Sequence, residues 1–413
     1  MTVDTSKDST NKSGNGAVVS AGTTVAAGEA MKVTEADEAL EAAIKAGEAV
    51  LAHRFGSAIP LVDAEDLRGT GPATVVRVRV AASPFALPRT LVIKHYPGEA
   101  PEGRPDPFAQ EAVSYQLFTA LAQDERMCPE LVAHDGGHRV LVLDDLGRAP
   151  TLQDRLRGSD ARAAERALLS WARSLGRLHA NTAGREADFN ALLRRLGGRT
   201  FGEDTTPVLA CAQLPALLSE LLGVETPDTV RLHAEQIAEL AASPRYRAFS
   251  PVDLCPDNNL ATSGGVSFLD FERGCVRSAL VDAAYLRVPF ASCPYALALP
   301  AGMSEAMVAA WRAEVAGVWP ALADDDILSE HLLESQLLRV WLATWELLPE
   351  LAPERGAVPT SRAAALVSWW SDLGKHAERA GLDDVAAHAL EVSTALDERH
   401  GPGLSLALYP AFR

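Results

Sequence analysis

The pattern of hydrophobic and polar residues divides the chain into a strand-rich first part and a helix-rich second part. Within residues 75–80 valines alternate with arginines, which is typical of a half-buried strand. Residues 90–96 and 139–143 are largely apolar runs of strand length. From about Ser159 onwards, apolar residues recur instead at helical spacing in several segments. The pattern therefore places most of the predicted strands ahead of most of the predicted helices.

The beginning of the chain has a different composition. Residues 1–30 are rich in Ser, Thr, Gly, Ala and Asp and contain almost no large apolar side chains. Such a segment cannot bury enough surface to offset the entropic cost of ordering it, so a disordered tail is predicted at 1–30. From Glu35 to His53 the apolar spacing is helical, and a short strand is expected at Ile59–Val62.

A lysine interrupts the otherwise apolar strand predicted at 90–96. Most such lysines extend to solvent, but a buried ammonium would need an anionic partner. Asp106 and Pro107 have the residue types of an N-cap and a first helical position. On the helix that they begin, Glu111 falls inside the apolar arc. We therefore predict that Lys94 and Glu111 both face inward and form an ion pair.

A second strand-like pattern covers residues 249–272, where a Ser-Gly-Gly turn separates two short β-prone segments. Folding the chain back about Gly264 places Asn258 opposite Asp270, with Cβ atoms roughly 4.5–5.5 Å apart. An amide oxygen and a carboxylate that leave coordination sites open suit Mg²⁺ carrying substrate phosphates. Asp253 precedes them in a loop flanked by prolines, where its carboxylate could face a substrate hydroxyl. The alternative is an ordinary hairpin rich in Asp and Asn.

Two glycines precede the strand predicted at 75–80. Gly69 and Gly71 would let backbone N–H groups approach phosphates closely. A G-x-G spacing is equally typical of a simple hairpin turn, so these residues alone do not decide between the two.

The length and charge of the chain limit its function classes. Its 413 residues suggest two or three domains. A net charge of −17 and an isoelectric point near 5.1 argue against a nucleic-acid backbone or an anionic membrane as the main partner, because both need a basic surface. No protein partner is evident from the sequence. An acidic surface would favour a cationic substrate, although solubility alone explains it equally well.

The five cysteines are odd in number and form no C-x-x-C pair. Neither a disulfide framework nor a zinc site is indicated, and reduced thiols in the cytoplasm are the expectation. No apolar run approaches the ~18–20 residues that cross a bilayer, and the start of the sequence lacks the pattern of a signal peptide.

Asp253, Asn258 and the segment that begins at Asp270 resemble motifs of the aminoglycoside phosphotransferase family, the small-molecule branch of the protein-kinase-like fold. The catalytic loop of that family reads roughly H-x-D-x-x-x-x-N, which Asp253 and Asn258 match, and its D-F-E or D-F-G metal motif begins here at Asp270. The resemblance implies transfer of the γ-phosphate of ATP or GTP to a hydroxyl, with Asp253 orienting the acceptor and the other two residues holding Mg²⁺. Pro251 stands where the family usually has a histidine that braces the loop. This departure affects the expected geometry of the loop and the expected rate of phosphate transfer.

The resemblance covers about residues 60–290 and implies a fold class. This is α+β, a two-lobed protein-kinase-like fold with a small antiparallel-sheet N-lobe that carries one key helix, and a larger, mostly helical C-lobe. The implied domains are a nucleotide-binding lobe at 31–147 and a helical lobe at 148–413, which contains the catalytic loop at 249–272.

The resemblance also implies roles in nucleotide binding. The ion pair of Lys94 and Glu111 would hold the nucleotide phosphates, in the manner of kinase-like folds. Asp145 and Leu146 lie in a segment similar to the hinge between the lobes, whose backbone hydrogen-bonds the purine. Asp282 resembles the aspartate that braces the catalytic loop from the next helix, although it would serve equally well as a helix N-cap.

The expected substrate is a hydroxylated small molecule, such as an aminoglycoside or another antibiotic or natural-product alcohol. Only ten residues separate Glu272 from Asp282, and nothing between them reads as the A-P-E segment with which protein kinases seat a peptide. Two alternatives remain open at this stage. One is a kinase of Ser or Thr in a peptide, and the other is a nucleotide-binding pseudokinase, which the missing loop histidine suggests.

Overall fold

The computed structural model describes residues 22–413, apart from 70, 199–204, 240–242, 263, 292, 294–295 and 352–359. The strands are β1 (Leu61–Asp66), β2 (Thr74–Val80), β3 (Thr90–His95), β4 (Leu131–Asp135), β5 (Val140–Asp144), β6 (Arg247–Ser250), β7 (Asn259–Thr262), β8 (Gly265–Phe268) and β9 (Cys275–Ser278). The α-helices are α1 (Gly22–Phe55), α2 (Pro107–Thr119), α3 (Leu152–Arg157), α4 (Ala161–Thr182), α5 (Glu186–Arg195), α6 (Thr206–Leu222), α7 (Asp228–Ala238), α8 (Ala279–Ala283), α9 (Met303–Val315), α10 (Asp325–Leu347), α11 (Thr360–Arg379) and α12 (Asp383–His400).

The first five strands form one antiparallel sheet in the order β1-β2-β3-β5-β4. Because successive side chains of a strand point to opposite faces, Ile93 belongs to the apolar cluster that α1 covers, whereas Lys94 contacts Glu111 of α2. Helix α1 approaches the sheet closely at Gly47, where a Cβ atom would lie 2.6 Å from the Ile93 side chain. The sheet is thus held between two helices, and its α2 face carries the charged pair.

Helix α1 starts earlier than the sequence suggested. The helix predicted at Glu35–His53 is present, but it begins at Gly22, inside the segment predicted to be disordered. Alanine is frequent over residues 22–30, and its high helix propensity accounts for this earlier start. The remainder of the predicted tail, residues 1–21, lies outside the described residues.

The second part of the chain is mostly helical and contains two apolar cores. One core joins α2, α4 and α9 to the segments around β6 to β8, and the other joins α6, α7, α10, α11 and α12. Trp341 and Trp370 are fully buried in the second core, so they contribute packing there. The predicted fold class is confirmed: an antiparallel five-stranded sheet with one helix inserted after β3 is followed by a larger helical region.

The predicted hairpin forms, but its register differs by one residue from the prediction. Asn259 pairs with Phe268, so Asn258 lies opposite Leu269, whose N–H donates to the Asn258 carbonyl at 2.9 Å. The expected pairing of Asn258 with Asp270 is therefore wrong. The physical reason is the turn, because two residues rather than three separate β7 from β8.

Cys255 and Cys293 form a disulfide with a Cα–Cα distance of 5.7 Å, so the prediction of reduced thiols is wrong for this pair. The two cysteines are 38 residues apart, and only the tertiary fold brings them together. Cys128, Cys211 and Cys275 are outside any disulfide. Among the residues that the structure describes, no helix is long and apolar enough to cross a membrane.

Candidate active site

A cavity of about 770 Å³ lies between the five-stranded sheet and the helical region. Apolar side chains, including those of Leu67, Val92 and Leu260, line part of it. Seven of the nine site residues predicted from the sequence also line it: Gly69, Gly71, Lys94, Asp145, Leu146, Asn258 and Asp270. The other two, Glu111 and Asp253, are outside the lining, and their contacts are described below.

Lys94 lies at the centre of a charged cluster in this cavity. Its ammonium donates to Glu111 Oε1 at 2.5 Å and to Asp270 Oδ1 at 2.8 Å. The predicted ion pair with Glu111 is therefore present. Burial on its own lowers the pKa of Lys94, but the carboxylates of Glu111 and Asp270 outweigh burial and raise this pKa above its ordinary value. The lysine consequently stays cationic at neutral pH.

Glu111 is completely buried behind Lys94. Besides the lysine, its carboxylate accepts hydrogen bonds from the Tyr96 hydroxyl and from the Phe271 N–H, the latter at 3.1 Å. A buried carboxylate needs such donors because it is removed from water. Helix α2 therefore fixes Lys94 and also contacts the backbone next to Asp270.

Asp270 follows β8 with a left-handed backbone, φ +64°, which is uncommon for residues other than glycine. The next residue, Phe271, is fully buried, and the rings of Tyr115, Phe118 and Phe249 have centroids 5.0–5.6 Å from its own. The buried ring holds this backbone in place, and the Asp270 side chain stays about one third exposed. Its second oxygen therefore remains accessible to a ligand of the cavity.

Glu272 is a further carboxylate in the cavity, and the sequence interpretation did not include it in the site. Burial, together with the negative charges of Asp270 and Glu111, raises its pKa to about 7. It lies under the glycine turn, because a Cβ atom at Gly71 would come within 3.2 Å of Glu272 Oε2. Glu272 and Gly71 are therefore neighbours in the cavity lining.

The loop between β6 and β7 carries Asp253. One carboxylate oxygen of Asp253 accepts the Cys255 N–H at 3.0 Å, and Val252 just before it has φ +68°. Burial, followed by the negative charges of Asp270 and Asp257, raises the pKa of Asp253. A raised pKa makes this carboxylate a better proton acceptor at neutral pH.

Asn258 is held at the end of the same loop. Its N–H donates to the Cys255 carbonyl at 3.0 Å. The neighbouring Asn259 donates its side-chain amide to that same carbonyl and accepts the N–H of Leu152. These hydrogen bonds fix the backbone of this segment. The side chain of Asn258 takes no part in them, and Asn258 lines the cavity.

Asp282 supports this loop from α8. One of its oxygens accepts hydrogen bonds from Ser250 Oγ at 2.9 Å and from Arg277 at 2.5 Å, and the other lies 3.2 Å from His179 Nε2. His179 also accepts the Trp311 indole N–H. Burial raises the pKa of Asp282, but Arg277 and His179 outweigh burial and lower it to about 2. The bracing role is therefore the one the structure supports, since Ser278 is the residue at the N-cap position.

The hinge segment uses the Asp145 side chain structurally. Its carboxylate accepts two hydrogen bonds from Arg77 of β2, at 3.0 and 3.1 Å, and one from the Gly147 N–H. Arg77 also contacts Glu65. The sequence interpretation did not single out Arg77, and the only available signal was its place in the alternating pattern of β2. Leu146 in the same segment lines the cavity.

The residues at the inner end of the cavity fit a hard divalent cation. Asn258 and Asp270 offer one amide and one carboxylate oxygen, the donor types that Mg²⁺ prefers. No group of three or more His, Cys, Asp or Glu side chains suited to a metal occurs in the described part of the chain. A metal held here would therefore need phosphate or water oxygens to complete its coordination, as Mg²⁺ usually does.

A second cavity of about 420 Å³ lies in the helical region and is lined by residues that include Cys293, Glu346, Glu350 and Trp369. The Cys255–Cys293 disulfide connects its wall to the loop of Asp253. Glu350 forms an ion pair with Arg362, which also lines this cavity. The sequence interpretation did not predict this site, because its residues come from three separate segments of the chain.

No protein-family model matches the chain, and no curated protein matches it. Several solved structures are similar to it. A choline/ethanolamine kinase family protein from Mesorhizobium loti is 16% identical, with 80% of this chain and 92% of that chain covered and a TM-score of 0.44. A protein assigned as an aminoglycoside phosphotransferase from Ralstonia eutropha is 14% identical, with 86% and 98% covered and a TM-score of 0.45. An amicoumacin kinase in complex with AMP-PNP and Ca²⁺ is 11% identical, with 76% and 88% covered and a TM-score of 0.44. The similar structures thus carry the names of small-molecule kinases, including the family that the sequence motifs resemble.

Proposed function

We propose that the protein is a Mg²⁺-dependent phosphotransferase that moves the γ-phosphate of ATP or GTP to a hydroxyl of a small molecule. One observation carries this proposal. A single cavity brings together Lys94 from the sheet, Asn258 from the end of the loop and Asp270 from beyond the hairpin. Phosphoryl transfer depends mainly on positioning and on neutralising phosphate charge, and these groups supply both.

The cavity offers suitable contacts for both the base and the phosphates of a purine nucleotide. Leu67, Val92 and Leu260 provide apolar surface for the base, and the backbone of Asp145 and Leu146 would hydrogen-bond its edge. Lys94 offers a cationic contact for the phosphates, and Gly69 and Gly71, which line the cavity, allow backbone N–H groups to approach them. Mg²⁺ held by Asn258 and Asp270 would add positive charge between the phosphate oxygens.

Asp253 is the proposed base. The hydroxyl oxygen of the acceptor forms a bond to the γ-phosphorus as the bond to the nucleoside diphosphate breaks, and the hydroxyl proton passes to the Asp253 carboxylate. The raised pKa of this group favours that transfer. Asp253 lies outside the lining of the nucleotide cavity, which agrees with a role on the acceptor side.

The second cavity supports a cationic acceptor. Arg362 balances the charge of Glu350, which leaves the carboxylate of Glu346 and the indole of Trp369 as a negative charge and an aromatic face, both of which favour a bound cation. The disulfide connects this cavity to the loop of Asp253. We therefore favour an alcohol that carries an amine, such as an aminoglycoside or an amino alcohol, and the net charge of −17 agrees with this choice.

The test is a transfer assay with labelled ATP, and with GTP in parallel, in which several acceptor classes compete at equal concentration with Mg²⁺ present. Aminoglycosides, amino alcohols, neutral sugars, nucleosides and Ser/Thr peptides form the panel. Labelling of the amine-bearing alcohols is the expected result. Labelling of neutral alcohols alone would contradict the cationic acceptor, and preferential labelling of peptides would contradict the small-molecule function. Binding of nucleotide with no transfer to any acceptor would favour a pseudokinase.

A further inference from the structure

The disulfide between Cys255 and Cys293 joins the loop of Asp253 to a segment that is fixed in the core. The Cys293 N–H donates to the Phe290 carbonyl at 2.9 Å. Phe290 is fully buried, and its ring centroid lies 5.4 Å from that of Trp171. The Cys293 end of the crosslink is therefore held by core packing, whereas its Cys255 end belongs to the loop.

The backbone of Cys255 contacts both functional residues of the loop. Its N–H donates to the Asp253 carboxylate at 3.0 Å, and its carbonyl accepts the Asn258 N–H at 3.0 Å. A displacement of Cys255 would consequently move the proposed base and a proposed metal ligand together.

The conformation of this loop needs external support. Val252 adopts φ +68°, and a β-branched residue is a clear outlier in that region, which persists only where the surroundings hold it. Pro251, which precedes it, has neither a side-chain donor nor a backbone N–H with which to brace the loop. Ser250 is braced by Asp282 on one side of these two residues, and the disulfide restrains the chain on the other side.

We propose that the Cys255–Cys293 disulfide is a positioning crosslink, so that the rate of phosphate transfer depends on its oxidation state. The inference rests on the proposed function. Reduction by a dithiol breaks the S–S bond, and two electrons pass from the dithiol, which becomes a cyclic disulfide. Its two protons end on the thiols of Cys255 and Cys293. The loop then loses its covalent link to Cys293 and keeps its hydrogen bonds, among them that from the Gln153 N–H to the Pro256 carbonyl at 2.9 Å. Asp253 is consequently held less firmly in its position.

Both cysteines are partly exposed, so a dithiol can reach the bond. Disulfides persist in oxidising compartments and are reduced in a cytosol, where those that form are usually catalytic or redox-sensing. In the predicted cytoplasmic location, the oxidation state of the crosslink would depend on the thiol–disulfide balance of the cell, and the reduced, slower state would predominate.

The test compares oxidised wild-type protein, wild type reduced with dithiothreitol, and the variants Cys255→Ser and Cys293→Ser. Reduction and either substitution should lower kcat about tenfold, because small displacements of a positioned group are costly. The Kd for Mg-ATP should rise by a smaller factor than kcat falls, because Asn258 moves with the loop whereas Lys94 and Asp270 lie outside it. Amide exchange in residues 251–259 should be faster in all three samples than in oxidised wild type. Reoxidation should restore wild type and leave the variants slow.

Cys211→Ser is the matched control. The Cys211 thiol donates to the Ala234 carbonyl at 3.3 Å, a bond that a serine hydroxyl retains, and this variant should respond to reduction as wild type does. Equal kcat and equal loop exchange before and after reduction would overturn the inference. A lower melting temperature with unchanged kcat would also overturn it, because the crosslink would then be merely structural. The exchange measurement needs no acceptor, so absent transfer in oxidised wild type would refute the proposed function and leave the exchange result to decide on positioning.

Discussion

Two buried groups of charged residues, one around Lys94 and one around Asp282, differ in how their charges are balanced. In the first, two carboxylates, of Glu111 and Asp270, surround one ammonium, and the cluster opens into the large cavity. In the second, a single fully buried carboxylate accepts hydrogen bonds from Ser250 and Arg277 and contacts His179.

The difference separates a binding role from a supporting role. The Lys94 group has more negative than positive charge at an open surface, which a cation or a metal-bound phosphate would balance. The Asp282 group has its charges and hydrogen bonds satisfied internally, so it has nothing to offer a ligand. Burial of a carboxylate is therefore insufficient evidence of a functional site, and the unbalanced charge that faces a cavity is the more informative feature.

The largest expected effect is at Asp253, the proposed base, whose loop the Asp282 group supports through Ser250. Asp253→Asn should lower kcat about 10²–10⁴-fold, because the amide cannot accept the hydroxyl proton. The Kd for Mg-ATP should change little, since Asp253 does not line the nucleotide cavity. Steady-state kinetics and nucleotide titration on the same protein check both parts.

Asp228→Asn, an exposed position on α7, is the control for that substitution and should leave kcat and the Kd unchanged. Unaltered turnover in Asp253→Asn would remove this residue from the mechanism. A large loss of nucleotide affinity would instead place it in the binding of ATP.

The second prediction tests the supporting role of Asp282. Asp282→Asn should lower the free energy of unfolding by about 3–5 kcal/mol, because it leaves the charge of Arg277 buried without its partner. Asp270→Asn should cost less than about 1 kcal/mol, since a partly exposed ion pair contributes little. Chemical denaturation of the two variants measures the contrast. Equal losses would mean that the two groups do not differ as proposed.

The third prediction uses the low pKa of Asp282. Its native pKa of about 2 lies below the ordinary value of 3.8, so the native state binds this proton more weakly than the unfolded state. The stabilisation is complete above about pH 4 and is lost as the pH falls towards 2, with a total on the order of 2 kcal/mol. The free energy of unfolding, measured by chemical denaturation across this range, should depend more steeply on pH in wild type than in Asp282→Asn. An equal pH dependence of this free energy in the two proteins would contradict the low pKa of Asp282.

The sequence revealed some of these features because their signals are local. Lys94 stood out within one apolar strand and Glu111 fell inside the apolar arc of one helix, so local patterns were enough to predict that both face inward. Pairing across the hairpin was wrong by one residue because it depends on a turn of two residues, which β-propensity does not determine. Residue types within the 249–272 segment nonetheless identified Asp253, Asn258 and Asp270 as candidates.

Other features could not be predicted because they depend on contacts between distant segments. The Cys255–Cys293 disulfide joins positions 38 residues apart, and Arg77 meets Asp145 across 68 positions. Sequence spacing carries no signal for either contact. The second cavity has the same origin, since its carboxylates and its cysteine come from different helices and loops.

The most direct test of the account is the effect of Mg²⁺ on nucleotide affinity in wild type and in Asp270→Asn. Calorimetric titration should show that wild type binds ATP at least about tenfold more tightly with Mg²⁺ than without it, a difference of about 1.4 kcal/mol. In Asp270→Asn the two affinities should become equal, because the carboxylate that holds the metal is gone while Lys94 and the hinge remain. Wild-type affinity that is independent of Mg²⁺, or a variant that keeps the full metal dependence, would contradict the claim that this cavity binds a metal-bound nucleotide through Asp270.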